Sequence, residues 1–213
     1  MSHIIELPDT GLYITLEGGE GSGKSTMIHY LKEGFNELGY EVEIIREPGG
    51  TDFSEELRTV FMAHHDLSPE TSVHLINAQR QHNLETFVIP QLKKGKVVLA
   101  DRFTASTLIY QGILNDSLDT VIDLMVDCEQ TTIFVDVKPE IGLQRILDNN
   151  RETNRFDKLD IEKHRTIYKG YKSLGKLVPE RYWDHIIDGE QSLDQIQEIC
   201  HNIAKQYDGK IRR

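Results

Sequence analysis

Apolar and polar positions follow two rhythms along this chain. Short apolar runs of strand character recur at Leu12–Leu16, Val42–Arg46, Val97–Ala100, Thr132–Val137 and His185–Asp188. Between them apolar residues return every three or four positions, the spacing of one helix face. These stretches are roughly Lys24–Leu38, Ser54–Met62, Ser68 to about Pro90, Thr104 onward, Leu118–Asp127, Pro139–Leu147, Ile161–Leu174 and Leu193–Tyr207. Ser68 and Pro69 supply an N-cap and a first-turn proline, and Pro90 is expected to bend or end that helix. Val97–Ala100 is apolar at every position, which suits a parallel strand covered on both faces. Five strands alternating with helices predict an α/β fold with a doubly wound, mostly parallel sheet. Residues 1–11 read as a lead-in with no assigned function. No repeat, low-complexity stretch or linker divides the 213 residues, so one domain is expected.

Charge narrows the partners. With 35 acidic and 24 basic residues the formal net charge is −11, a field that opposes nucleic-acid polymers. The useful cations should therefore gather inside a cleft. The two cysteines, Cys128 and Cys200, form neither a CxxC motif nor a disulfide framework. No leader pattern or membrane-length apolar stretch is present, so a cytoplasmic protein without membrane contact is expected. The histidines have no metal-ligand spacing.

The sharpest chemical signal is Gly18-Gly19-Glu20-Gly21-Ser22-Gly23-Lys24-Ser25-Thr26, a phosphate-binding loop pattern between a strand and a helix. Gly18, Gly21 and Gly23 let the backbone turn tightly, so that successive N–H groups face anionic oxygens beside the helix N-terminus. Lys24 is placed to reach terminal phosphates, and the Ser25 hydroxyl to ligand Mg²⁺. Asp101, at the end of a buried strand, is a second candidate Mg²⁺ ligand. Arg46, Arg58, Arg80 and Arg102 fall at or near element ends facing the same cleft. Guanidinium forks there suit an anionic second substrate. Arg145, Arg151 and Arg155 flank a polar segment that could close as a lid, which a phosphoryl transfer uses to add charge and exclude water. On pattern alone that segment reads equally well as a solvated loop, and Tyr110 reads as core. A regulatory GTPase would need an Asn-Lys-x-Asp motif, which is absent.

Together these motifs resemble the thymidylate kinase family from about Leu12 to the C-terminus. The resemblance is carried by Leu16–Thr26, Arg46-Glu47-Pro48-Gly49-Gly50-Thr51, Arg80, Asp101-Arg102-Phe103 with Ser106 and Tyr110-Gln111-Gly112, Asp136-Val137 with Pro139-Glu140 and Gly142-Leu143, and Asn154-Arg155-Phe156-Asp157. It implies the nucleoside monophosphate kinase fold with a mobile lid at roughly 145–160. The implied activity is transfer of the ATP γ-phosphoryl to dTMP, with Mg²⁺, by a homodimer. It assigns Ser22, Lys24, Ser25, Thr26 and Arg145 to ATP, and Glu20 to the deoxyribose 3′-hydroxyl. Arg46, Arg102 and Arg58 go to the acceptor phosphate, and Arg80 to a thymine carbonyl. Ser106, Thr107, Tyr110 and Gln111 go to the nucleoside pocket, and Ser25 and Asp101 to the metal. Glycine at position 21 matches the members that carry catalytic arginines in the lid, here Arg151 and Arg155, alongside Lys24 and Arg102. The chain departs from the family where a phenylalanine commonly stacks on the base: that position is Ile76. Asn77 follows, with a donor and an acceptor able to meet a polar group on the base. dUMP or a 5-substituted dUMP is accordingly the alternative acceptor.

Overall fold

A computed structural model describes residues 3–149, 153–177 and 183–212. In chain order the elements are β1 (His3–Ile5), β2 (Leu12–Glu17), α1 (Lys24–Glu37), β3 (Val42–Arg46), α2 (Asp52–Ala63), α3 (Pro69–Asn83), α4 (Ile89–Leu92), β4 (Val97–Asp101), α5 (Thr104–Thr107), α6 (Leu118–Leu124), β5 (Val126–Cys128), β6 (Thr131–Asp136), α7 (Pro139–Asp148), α8 (Ile161–Leu177), β7 (His185–Asp188) and α9 (Leu193–Tyr207). Five strands form one sheet in the order β3-β4-β2-β6-β7, every neighbouring pair parallel. The expected architecture is therefore present, and the expected strands match to within a residue or two at their ends.

Strand alternation divides the core. Ile14, Leu16, Val97 and Leu99 point to one face of the sheet and pack with Met27, Leu31 and Phe35 of α1 and with Ile196, Cys200 and Ile203 of α9. Tyr13, Val98 and Ala100 point to the other face and meet Leu84, Val88, Leu92 and Phe103. A third cluster joins Phe134 of β6 to Tyr171 of α8 and to Leu108 and Ile109. Helices thus cover both faces, which is why the central strands carry almost no polar positions.

Three local features differ from or add to the expectations. Within the lead-in, His3–Ile5 form β1, which pairs in parallel with β5 as a separate two-stranded sheet. The helix expected to run to Asp127 ends at Leu124, and its last residues become β5. Pro90 neither ends nor interrupts the helical rod, which continues to Leu92. A π turn over Leu84–Val88 precedes it, with the Ile89 N–H reaching back to the Leu84 carbonyl. Widening the turn there accommodates the residue that lacks an N–H.

Candidate active site

Parallel strands bring the loops after β2, β3 and β4 to one edge of the sheet, where open α/β folds bind ligands. The phosphate-loop pattern lies between β2 and α1, and Gly21 and Gly23 both have positive φ, 68° and 94°. The tertiary reason for glycine at position 21 is close packing: an added Cβ would lie 2.0 Å from the carbonyl oxygen of Gly142 on α7. Buried Lys24 donates to the carbonyls of Gly18 and Gly19 at 3.1 and 2.9 Å and to Ser22 Oγ at 3.2 Å. Burial, with a smaller contribution from the Arg102 charge, lowers its pKa to about 8.

Arg102 follows β4 in a left-handed conformation, φ 74°, which a non-glycine residue adopts only when its contacts enforce it. Here they do. Its guanidinium donates to the Gly18 carbonyl at 2.9 Å, Ser106 Oγ at 3.1 Å, Tyr171 OH at 3.2 Å and Glu20 Oε1 at 2.8 Å. Burial opposes its charge, but the Glu20 carboxylate holds its pKa well above the ordinary value. Glu20 also accepts from Tyr110 OH at 3.1 Å. Beneath this group the buried Glu17 carboxylate accepts from the Phe103 and Ser106 N–H groups at 2.8 and 3.2 Å and from Ser106 Oγ at 2.5 Å. Glu17 therefore ties the end of β2 to the turn that carries Arg102.

The turn after β3 is held from several sides. Arg46 Nη2 donates to both Glu55 carboxylate oxygens at 2.8 and 2.9 Å, and Glu55 also accepts from the Gly50 N–H at 2.8 Å. Arg58 donates to the Pro48 carbonyl at 2.6 Å. On α3, Gln79 accepts from the Gly49 N–H at 2.7 Å, while Asn83 donates to the Gly49 carbonyl at 2.8 Å. Asn83 also accepts from Thr51 and Ser54 hydroxyls at 2.9 and 2.7 Å. Arg80, between these two amides in sequence, is 1% exposed. Its Nε donates to Glu47 at 2.9 Å, and its Nη atoms donate to the Val126 carbonyl and Thr107 Oγ1 at 3.2 and 2.8 Å. Burial raises the Glu47 pKa to about 6, opposed by the Arg80 charge.

These parts line one cleft of about 980 Å³. It gathers Glu20, Gly21, Ser22, Gly23, Lys24, Ser25, Thr26, Arg46, Arg58, Ile76, Arg80, Asp101, Arg102, Ser106, Thr107, Tyr110, Gln111 and Arg145. Gly18 contributes its carbonyl, and Arg145 donates to the Gly189 carbonyl at 2.9 Å on the far side of the loop. Ser25 Oγ donates to Asp101 Oδ2 at 3.5 Å, and the buried Asp101 Oδ1 has no partner among the described residues. A hydroxyl beside a carboxylate oxygen with spare capacity is a hard-oxygen donor set suited to Mg²⁺. No group of three or more His, Cys, Asp or Glu residues that could hold a metal occurs among the described residues. That is compatible with an ion that takes its remaining ligands from phosphate and water.

Two sequence expectations change. Asn77 does not face the cleft: its amide donates to the Leu124 carbonyl at 2.7 Å and accepts from the Val126 N–H at 3.1 Å, anchoring β5 to α3. Arg155 is not brought to the phosphate loop. It donates to the His64 carbonyl and packs against the Phe61 and Phe156 rings. Arg151 lies outside the described residues. Sequence reading assigned no role to Glu17, Glu47, Glu55, Gln79, Asn83 or Tyr171. Glu17 and Glu47 stood inside the motifs that carry the resemblance, and Gln79 and Asn83 left a signal as polar residues four apart on the α3 face that also carries Val73, Ile76 and Arg80.

Comparison with known proteins agrees with this arrangement. A family model described as thymidylate kinase matches residues 16–199. The chain is 38% identical over 206 residues to a thymidylate kinase of Oceanobacillus iheyensis, covering 92% of this chain and 91% of that protein. It is 35% identical to one of Bacillus licheniformis over 92% and 96% of the two chains. Identity to one of Clostridium novyi is 36%, over 92% and 98%.

Proposed function

Since the chain belongs to the thymidylate kinase family, we propose that it phosphorylates dTMP to dTDP at the expense of ATP. The observation that carries this reading is that the phosphate loop with Lys24, the buried Arg80, and Arg46, Arg58 and Arg102 all line one shared cleft.

The geometry supports the following division of labour. The loop glycines and Lys24 hold the ATP phosphates, and Arg145, beside the loop, faces the remainder of that nucleotide. Arg102 is pre-aimed by Glu20, Ser106 and Tyr171, so positioning it costs little reorganisation when an acceptor phosphate arrives. Arg46 and Arg58 neutralise that phosphate from the other side, with Arg46 exchanging part of its pairing with Glu55. Arg80, fixed by Glu47 and Thr107, has remaining N–H groups for a pyrimidine carbonyl. An acceptor phosphate is already anionic, so the reaction requires orientation and charge rather than a general base. Ser25 and Asp101 would hold Mg²⁺, which when bound would supply positive charge against the phosphates. Arg151 remains the lid cation implied by the family resemblance.

We further propose a homodimer in the cytoplasm. The exposed Phe53 and Val60, seven residues apart on α2, offer an apolar face for a second copy. No helix among the described residues is long and apolar enough to cross a membrane.

The direct test is Mg²⁺- and ATP-dependent phosphorylation of dTMP, dUMP, 5-hydroxymethyl-dUMP, dCMP, dAMP and dGMP. dTMP is expected to lead in kcat/KM. Negligible turnover of dTMP beside rapid turnover of another monophosphate would overturn the assignment.

A further inference from the structure

A planar pyrimidine bound beside Arg80 needs an apolar wall, and a π face adds to what an aliphatic wall provides. Ile76 lines the cleft but has no π face. The rings that line the cleft are Phe61, Phe103, Tyr110 and Phe156. Phe103 is 1% exposed and lies under the Arg80 guanidinium, whose carbon is 4.6 Å from the ring centroid. Tyr110 is committed to the phosphate side, with its hydroxyl on Glu20 and the Arg102 guanidinium 5.2 Å from its ring. Phe61 and Phe156 remain.

These two rings form a built unit. Their centroids are 6.2 Å apart at an interplanar angle of 30°, and Phe156 meets Tyr110 edge-on at 5.2 Å and 85°. Phe61 is buried at 1% exposure on α2, whereas Phe156 is half-buried in the turn between α7 and α8. That turn is fixed by Asn154, whose Oδ1 accepts from the Phe156 N–H at 2.7 Å while its own N–H donates to Asp157 at 2.8 Å. The Arg155 guanidinium carbon lies 4.3 Å from the Phe61 centroid and 4.7 Å from that of Phe156. Its donation to the His64 carbonyl then ties the turn to the residue after α2.

We propose that Phe156, backed by Phe61, is the specificity-determining aromatic wall for the acceptor pyrimidine, and that Arg155 positions this wall rather than binding phosphate. The inference rests on reading the cleft as a thymidylate kinase site. It makes base recognition depend on the turn between α7 and α8, which gives a chain with isoleucine at position 76 an aromatic contact.

The test is steady-state kinetics of the full-length enzyme with dTMP and ATP. Phe156→Leu keeps an apolar side chain but removes the ring. The dTMP KM should rise about three- to tenfold, the range of an aromatic contact, while the ATP KM stays within about twofold. Phe156→Tyr should preserve the dTMP KM, and Ile76→Phe added to Phe156→Leu should recover it. Arg155→Met should raise the dTMP KM several-fold, with kcat changing far less. An unchanged dTMP KM in Phe156→Leu would overturn the proposal. So would a kcat reduced a hundredfold or more in Arg155→Met at unchanged dTMP KM, the pattern of a phosphate-binding cation. Failure of the unsubstituted enzyme to use dTMP would instead overturn the reading of the cleft, and this inference with it.

Discussion

Gly142→Ala is the most incisive perturbation of the phosphate loop, because it touches no substrate. A Cβ at Gly142 would lie 2.3 Å from the Glu20 carbonyl oxygen, about 1 Å short of the 3.4 Å at which such contacts become ordinary. Both partners are backbone, so neither can rotate away. Overpacking of this kind costs about 1–3 kcal/mol. Replacing a helical glycine by alanine returns about 1 kcal/mol. The net loss is then on the order of 1 kcal/mol, a fall of about 2–4 °C in Tm for a chain of this length. Activity should respond more sharply than stability. If the loop yields by about 1 Å, the Glu20–Arg102 pair and the Lys24 cradle move with it, and misplacement on that scale costs up to ~100-fold in rate. The assay is kcat and KM for both substrates alongside thermal unfolding. Gly19→Ala serves as a stability control, since nothing lies within 4 Å of an added Cβ there. A Gly142→Ala enzyme with wild-type kcat and a raised Tm would refute the argument that α7 wedges the loop.

Other outcomes follow from the same geometry. Lys24, with its pKa lowered to about 8, should take up a proton when ATP binds, about half a proton at pH 8. Calorimetry in buffers of different ionisation enthalpy measures this, and binding without uptake at pH 8 would contradict the buried, partly deprotonated ammonium. The Glu47 carboxylate, raised to about 6, is ionised at neutral pH and gains a proton as pH falls through 6, which loosens its hold on Arg80. The dTMP KM should therefore climb below about pH 6, over and above the change in Glu47→Gln, which reports only the ionisation of the substrate phosphate. Parallel profiles for the two enzymes would exclude this role. Asn83→Ala removes hydrogen bonds to Gly49, Thr51 and Ser54, at a cost of about 1–3 kcal/mol in urea unfolding. It should also raise the dTMP KM by loosening the turn that carries Pro48, and an unchanged KM would show that Gln79 and Arg58 suffice. Lys24→Ala should nearly abolish turnover in single-turnover assays, and a near-normal kcat would remove it from the reaction.

Local signals picked out most of the residues that line the cleft, because the cleft lies where strands end. The loop glycines, Lys24, Asp101 and Arg102 could be read directly, since each sits at a fixed offset from an apolar run. Their supporting residues could not. Glu17 looks like any acid closing a strand until β2 and β4 stand side by side and its carboxylate meets the Phe103 and Ser106 N–H groups. Tyr171, far along the chain on α8, reaches the same carboxylate only through tertiary packing. Asn77 shows the converse error: its polarity and position beside Ile76 suggested a ligand contact, but the Leu124 carbonyl at the end of α6 and the Val126 N–H of β5 take its two amide groups.

The sequence by itself determined the layered α/β architecture, the strand and helix order and the phosphate-loop chemistry. Those depend on periodicity and on residue types within one short window. Tertiary structure alone decided that residues 3–5 form a strand, since that strand exists only by pairing with Val126–Cys128. It likewise decided that Gly21 can carry no side chain, and that Arg155 packs on the Phe61 ring and donates to the His64 carbonyl. In each case the deciding group lies dozens of residues away, and proximity across the fold leaves no local pattern to read.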